Sequence, residues 1–99
     1  MDYVKQGEYR LIKVDGTEIL IEEKPTLSTI QRAIGADCID TVCLDKPART
    51  QIMIVDDTGM IDGKPVNPKA TALYQSICKP GTVWAIHGDV AICNDLDFA

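Results

Sequence analysis

The sequence is poor in aromatic residues and in histidine. Aromatic side chains make up 5% of its 99 residues, and there is one tryptophan. Aliphatic side chains must therefore form most of the core. His87 is the only histidine, so a histidine-based catalytic pair has a single candidate base. The glycines stand singly at turns, which excludes a glycine-rich loop that cradles phosphate.

Basic residues are also scarce and are scattered along the chain. Ten lysines and arginines face fifteen acidic residues, for a formal net charge of −5. A protein that binds nucleic acid or an anionic membrane usually carries a stripe of clustered basic residues. We therefore expect neither polymeric nucleic acid nor a membrane as a partner. No apolar run approaches the roughly 20 residues of a membrane span. The first residues lack the apolar segment of a signal peptide, so we expect a cytoplasmic protein.

The four cysteines lack the spacing of a metal site. Cys38, Cys43, Cys78 and Cys93 form no Cys-x-x-Cys pair and no cluster with histidine, which disfavours zinc. Cys43 and Cys78 lie within apolar runs, so we expect both to be buried, reduced thiols. We expect no metal and no cofactor.

Length and composition predict one α+β domain over residues 1–99, with a fraying tail at 94–99. Two β-rich runs joined by Asp15-Gly16 predict a hairpin with a two-residue type I′ turn. Thr26 or Ser28 is expected to cap a short helix that ends at Gly35.

The second half predicts further strands and a second helix. Strands are expected at Cys38–Leu44 and at Gln51–Asp56. The second of these is the most hydrophobic, so we expect it at the centre of the sheet. Met60-Ile61 is expected to form a short strand after it. Asn67-Pro68 predicts a helix start, and the helix stripe is Ala70, Leu73, Tyr74, Ile77 and Cys78. Final strands are expected at 82–86 and 90–93. The order ββα–ββα–ββ favours a small mixed or antiparallel sheet with two helices on one face.

Asp57-Thr58-Gly59 after a hydrophobic strand resembles the active-site triplet of retroviral-type aspartic proteases. That chemistry needs two aspartates sharing a proton across a dimer axis. Asp56 stands where that family has an apolar residue, and no glycine-rich flap is present. The triplet therefore favours an ordinary turn.

The stretch from Asp62 to Pro68 is the best candidate for a ligand-binding loop. Two prolines make it rigid, and it leads into a helix N-terminus, whose free N–H groups favour an anion. Lys64, Arg49 and Lys69 are expected to supply the basic side chains there, with Lys64 as a surface charge, and Asn67 is expected to mark the helix start that completes the anion site. The alternative is that Asn67-Pro68 only caps and starts the helix.

The run Gly-x-Pro-x-Asn-Pro-x-Ala-x-x-Leu-Tyr, here Gly63 to Tyr74, resembles a family of small phage and mobile-element proteins catalogued as a domain of unknown function. Pro80-Gly81 and Ile86-x-Gly88-Asp89-Val90 are similar to its second motif. The resemblance implies a genomic setting, the accessory genes of mobile elements. In that setting, small acidic proteins often antagonise host defence, either by sequestering a nucleotide-derived signal or by binding a host protein.

We therefore predict a non-enzymatic protein that sequesters a small nucleotide-like ligand as a homo-oligomer in the host cytoplasm. Tyr74, Trp84 and His87 are the candidate stacking residues for a base. One alternative is a protein–protein inhibitor or adaptor acting on a host protein. Another is a hydrolase of unrecognised type.

Overall fold

The computed structural model describes residues 4–44, 51–77 and 85–94. Within them, five strands and two helices follow the order ββαββαβ. This confirms the expected α+β class. The strands are β1 (Tyr9–Ile12), β2 (Glu18–Ile21), β3 (Ile39–Cys43), β4 (Gln51–Asp56) and β5 (Val90–Asn94), and the helices are α1 (Leu27–Ile34) and α2 (Pro68–Ile77).

The five strands form one antiparallel sheet in the order β2-β1-β5-β4-β3. β4, predicted from its hydrophobic run, is an interior strand with all six residues buried. The middle strand is β5, whose first four residues are at most 1% exposed. Burial on both faces explains why β4 and β5 read as continuous apolar runs rather than as alternating ones.

The two helices lie on opposite faces of the sheet, so the expectation that they share one face is wrong. Ile30 and Ile34 of α1 join a cluster that includes Leu11 and Ile54. Ala70 of α2 joins a second cluster that includes Met53 from the other face of β4. Each helix buries its own stripe because the interior strands are apolar on both sides, which produces three layers.

The β1–β2 hairpin is present, but its turn differs from the predicted one. Lys13 N–H donates to Thr17 O at 2.8 Å, and Gly16 N–H donates to Lys13 O at 3.0 Å. The loop therefore has three residues and closes on Gly16, which has φ 91°. This is the glycine-bulge type of hairpin loop, not a two-residue type I′ turn.

Other local expectations have mixed outcomes. Thr26 caps α1, and Gly35 ends it in a left-handed conformation, as predicted. Met60-Ile61 belongs to a turn rather than a strand. Ala85 and Ile86 are not in a strand, and the rest of the strand expected at 82–86 lies outside the described residues, as do Cys78 and residues 95–99.

The described cysteines are free thiols, and their burial differs from the expected order. Cys43, expected in the core, is half-buried on β3, which is the last strand of the sheet order. Cys93, on the middle strand, is fully buried instead. Within the described part of the chain, no helix has the length and apolarity needed to cross a membrane.

Candidate functional site

The segment from Asp56 to Asn67 carries the chain from β4 to α2 and contains most of the predicted ligand loop. Residues 57–63 form turns, as the interpretation of Asp57-Thr58-Gly59 required. A Cβ atom placed on Gly59 would lie 2.7 Å from the carbonyl oxygen of His87. Glycine at this position thus lets the segment pack directly against the backbone at His87.

Lys64 binds structural groups of the protein rather than facing an open anion site. Its ammonium forms an ion pair with Asp56 and donates to Gly35 O at 2.6 Å, across 29 positions of sequence. Gly35 follows the last turn of α1, where the helix dipole favours a cation. The Lys64 ammonium is thus engaged by Asp56 and Gly35, and its role in binding an anion stays a prediction.

The Asp56 carboxylate is the centre of this arrangement. Its side chain is 1% exposed, and Thr58 donates to it through N–H at 3.0 Å and Oγ1 at 3.2 Å. Burial alone would raise the pKa of Asp56. The hydrogen bonds from Lys64 and Thr58 and the Lys64 charge outweigh burial, so the pKa lies below its ordinary value.

Asn67 is fully buried, and its side chain joins three segments. Its Oδ1 accepts from Ala70 N–H at 3.1 Å, which confirms the predicted helix cap. Its Nδ2 donates to Ile12 O at 2.9 Å and to Gly88 O at 3.1 Å. Because the amide is engaged on both sides, Asn67 sets the position of α2 against β1 and the loop at Gly88.

Tyr74 and His87, by contrast, line the same cavity. This Tyr74–His87 pocket, of about 250 Å³, opens between α2, the ends of β3 and β4, and the turn after β4. His87 Nδ1 lies 2.8 Å from Lys64 O, which fixes the imidazole ring. The pocket is lined by Asp40, Val42, Val55, Asp56, Asp57, Met60, Tyr74, Ala85, Ile86 and His87.

The pocket is acidic and partly apolar. Its described lining contains three aspartates and no lysine or arginine. Because the Asp56 carboxylate is buried and paired with Lys64, the exposed Asp40 and Asp57 supply the negative charge. Asp57 N–H donates to Cys38 O at 3.0 Å, which holds the backbone of this exposed aspartate at the end of β4. Such a surface favours a ligand that presents N–H donors or positive charge and disfavours phosphate.

The chemistry available in the pocket is limited. Its described lining includes no serine, threonine or cysteine that could act as a nucleophile. Throughout residues 4–44, 51–77 and 85–94, no three His, Cys, Asp or Glu side chains are placed to hold a metal ion. What the described pocket offers is an aromatic ring, an imidazole, carboxylate acceptors and an aliphatic wall.

The structure thus divides the predicted site residues. It brings Tyr74 and His87 together, and it places Lys64 and Asn67 in structural contacts nearby. Arg49 and Trp84 lie outside the described residues. Sequence reasoning missed Asp40, and it considered Asp57 only as part of a protease-like triplet. Asp40 lies within β3 and Asp57 directly follows β4, the two strands that border the pocket.

No curated protein and no solved structure gives a significant match to this chain. A family model does match, and it covers residues 7–97, including both strands that border the pocket and the whole of α2. The chain belongs to the DUF3846 family, described as a domain of unknown function.

Proposed function

We propose that this chain is a non-enzymatic binding protein whose small ligand enters the Tyr74–His87 pocket with a planar, hydrogen-bond-donating group. The observation that carries the proposal is the meeting of Tyr74 and His87 in one cavity with aspartates and aliphatic side chains. The tyrosine and imidazole supply faces for a ring, and the carboxylates accept hydrogen bonds from its N–H groups.

The base of a nucleotide-like ligand has this chemistry. Exocyclic amino and ring N–H groups suit carboxylate acceptors, and stacking of a base on an aromatic side chain contributes about 1–3 kcal/mol. The phosphates would remain outside, because the aspartates repel them and the Lys64 ammonium is paired with Asp56. We therefore propose recognition through the base rather than through the phosphate.

For the biological role, our proposal is sequestration of a nucleotide-derived immune signal in the cytoplasm of a host, by a homo-oligomeric protein of phage or mobile-element origin. Binding through an aromatic ring, an imidazole and carboxylates supports this role. The hydrolase alternative would use the same aspartates and His87 to activate a water molecule, and turnover of an added nucleotide is the outcome that would favour it.

Calorimetric titration of nucleosides, nucleotides and inorganic phosphate tests the proposal. A nucleoside should bind, phosphate alone should not, and the affinity for the matching nucleotide should rise with salt as repulsion from the aspartates is screened. Asp57→Asn should weaken nucleoside binding about tenfold, because it removes a carboxylate acceptor. The matched control is Asp37→Asn, an exposed aspartate that does not line the pocket.

Equal effects of the two Asp→Asn changes would contradict the proposed pocket. Binding of phosphate alone would contradict recognition through the base.

Protein–protein inhibition is the second candidate, and a different observation favours it. Met60 and Ile61, in the turn after β4, are 60% and 82% exposed. Apolar side chains this exposed are typical of contact surfaces when they occur together. Native mass spectrometry of the protein purified from its host distinguishes the functions. A bound nucleotide mass supports sequestration, whereas a protein complex that Ile61→Ser abolishes supports inhibition.

A further inference from the structure

A second groove lies on the other side of α2. Helix α2 covers only part of its face of the sheet, and Leu20 on β2 remains 46% exposed. Between the helix and the β1–β2 side of the sheet is a groove of about 520 Å³, a size typical of small-molecule sites. This α2 groove is lined by Arg10, Ile12, Glu18, Lys69, Ala72, Leu73, Ser76 and Ile92.

The interior of the α2 groove is aliphatic. Ile12 and Ile92 are core residues, and Leu73 packs partly buried against the same cluster. Ala72 adds a small, exposed side chain on the helix side. A ligand with a hydrocarbon body would therefore bury apolar surface here, which contributes to affinity with each methylene group.

Opposite charges line the same groove. Lys69 Nζ lies 2.6 Å from Glu18 Oε2, and these side chains are 48% and 40% exposed. The Lys69 hydrogen bond lowers the pKa of Glu18, with a smaller contribution from the Arg10 charge. The charged residues of the described lining are therefore two cations, Arg10 and Lys69, and one carboxylate, Glu18.

We propose that the α2 groove binds a small aliphatic carboxylate, with its hydrocarbon body on Ile12, Ile92 and Leu73. Its carboxylate would replace Glu18 as the partner of Lys69. A carboxylate is favoured because the groove already holds one at Lys69, so the ligand reproduces an existing contact. Both partners of the Lys69–Glu18 pair are exposed, and exposed pairs contribute little to stability. Breaking this pair to admit a ligand carboxylate therefore has a small free-energy cost.

Decanoate is the probe, and decyltrimethylammonium is its charge control, each titrated by calorimetry below its micelle concentration. Decanoate should bind at least about tenfold more tightly, since the apolar parts match and only the head group differs. Glu18→Gln should tighten decanoate binding several-fold by removing the internal competitor. Lys69→Gln should weaken it about tenfold. Arg32→Gln, an exposed cation on α1 across the sheet, is the matched control.

Two further measurements separate groove binding from unfolding. Ala72→Phe should fill the groove and abolish decanoate binding while the melting temperature stays near the wild-type value. In the wild type, decanoate should shift the amide signals of Ala72 and Ile12 more than those of Tyr74 and His87. Equal affinity for the two amphiphiles, or equal effects of Lys69→Gln and Arg32→Gln, would overturn the proposal.

Discussion

Lys64 and Lys69 stand five positions apart, each in an ion pair, yet the two pairs occupy very different surroundings. The Lys64 side chain is 25% exposed and its partner Asp56 is 1% exposed, whereas Lys69 and Glu18 are 48% and 40% exposed. A pair with a buried carboxylate is hard to break, because the remaining charge stays desolvated. An exposed pair exchanges partners readily.

This difference determines which lysine is available to a ligand. Lys64 connects the end of β4 to the end of α1 and leaves the Tyr74–His87 pocket acidic. Lys69 connects α2 to β2 across the α2 groove through an exposed ion pair. The segment between them, capped by Asn67, separates a lysine that stabilises the fold from one that lines a binding groove.

The largest expected effect is that of Lys64→Met. It leaves the Asp56 carboxylate buried without its cation, so we expect a loss of about 3 kcal/mol in the free energy of unfolding. Urea denaturation at pH 7 measures this loss. A double-mutant cycle with Asp56→Asn isolates the pair. A loss as small as that of an exposed pair would show that the burial difference has no energetic consequence.

Asn67→Ala should cost about 2–3 kcal/mol, more than the roughly 1 kcal/mol of a simple helix cap. The reason is that the Asn67 amide also satisfies the buried carbonyl groups of Ile12 and Gly88. Urea denaturation again gives the value. Asn67→Asp is the informative control, since it keeps the cap oxygen and removes the two donors. If Asn67→Ala loses only about 1 kcal/mol of unfolding free energy and Asn67→Asp loses almost none, the cap oxygen alone contributes and the two donated hydrogen bonds do not.

The pH dependence of stability should separate the two ion pairs. The pKa of Asp56 is lower in the folded chain than in the unfolded chain, where it is about 3.9. The folded state therefore gains stability above that value and loses it progressively as pH falls through the folded pKa. In Lys64→Met this loss should shrink or reverse, because burial then dominates. Urea midpoints between pH 7 and pH 3 test it, with Glu18→Gln as the control.

Local signals predicted most of the secondary structure. The β4 range follows from its apolar run, the start of α1 from Thr26, and its end from Gly35. Asn67-Pro68 marks the start of α2, because a cap and a proline at the first helical position act within one turn. These features depend on neighbours in sequence, which a sequence displays directly.

The tertiary contacts of side chains and helices could not be predicted in the same way. The sequence placed Lys64 beside the start of α2 because three residues separate them, whereas the folded side chain reaches Gly35 on the other side of the sheet. Likewise, two apolar helix stripes do not reveal whether they cover one face or two. In the structure they cover two, since α1 joins the cluster of Leu11 and Ile54 and α2 the cluster of Met53, and these contacts are long-range.

The smallest expected effect completes the comparison of the two lysines. Lys69→Met makes the same chemical change as Lys64→Met but should lower the free energy of unfolding by less than about 1 kcal/mol, as is usual for an exposed pair. Most of that loss should disappear in 1 M salt, where the Debye length falls to about 3 Å. The Lys64→Met loss should persist there, because its partner is buried. Urea denaturation of both variants at low and high salt measures the four values. Equal losses that respond equally to salt would remove the distinction between the two lysines, and with it the argument that the α2 groove can exchange Glu18 for a ligand carboxylate.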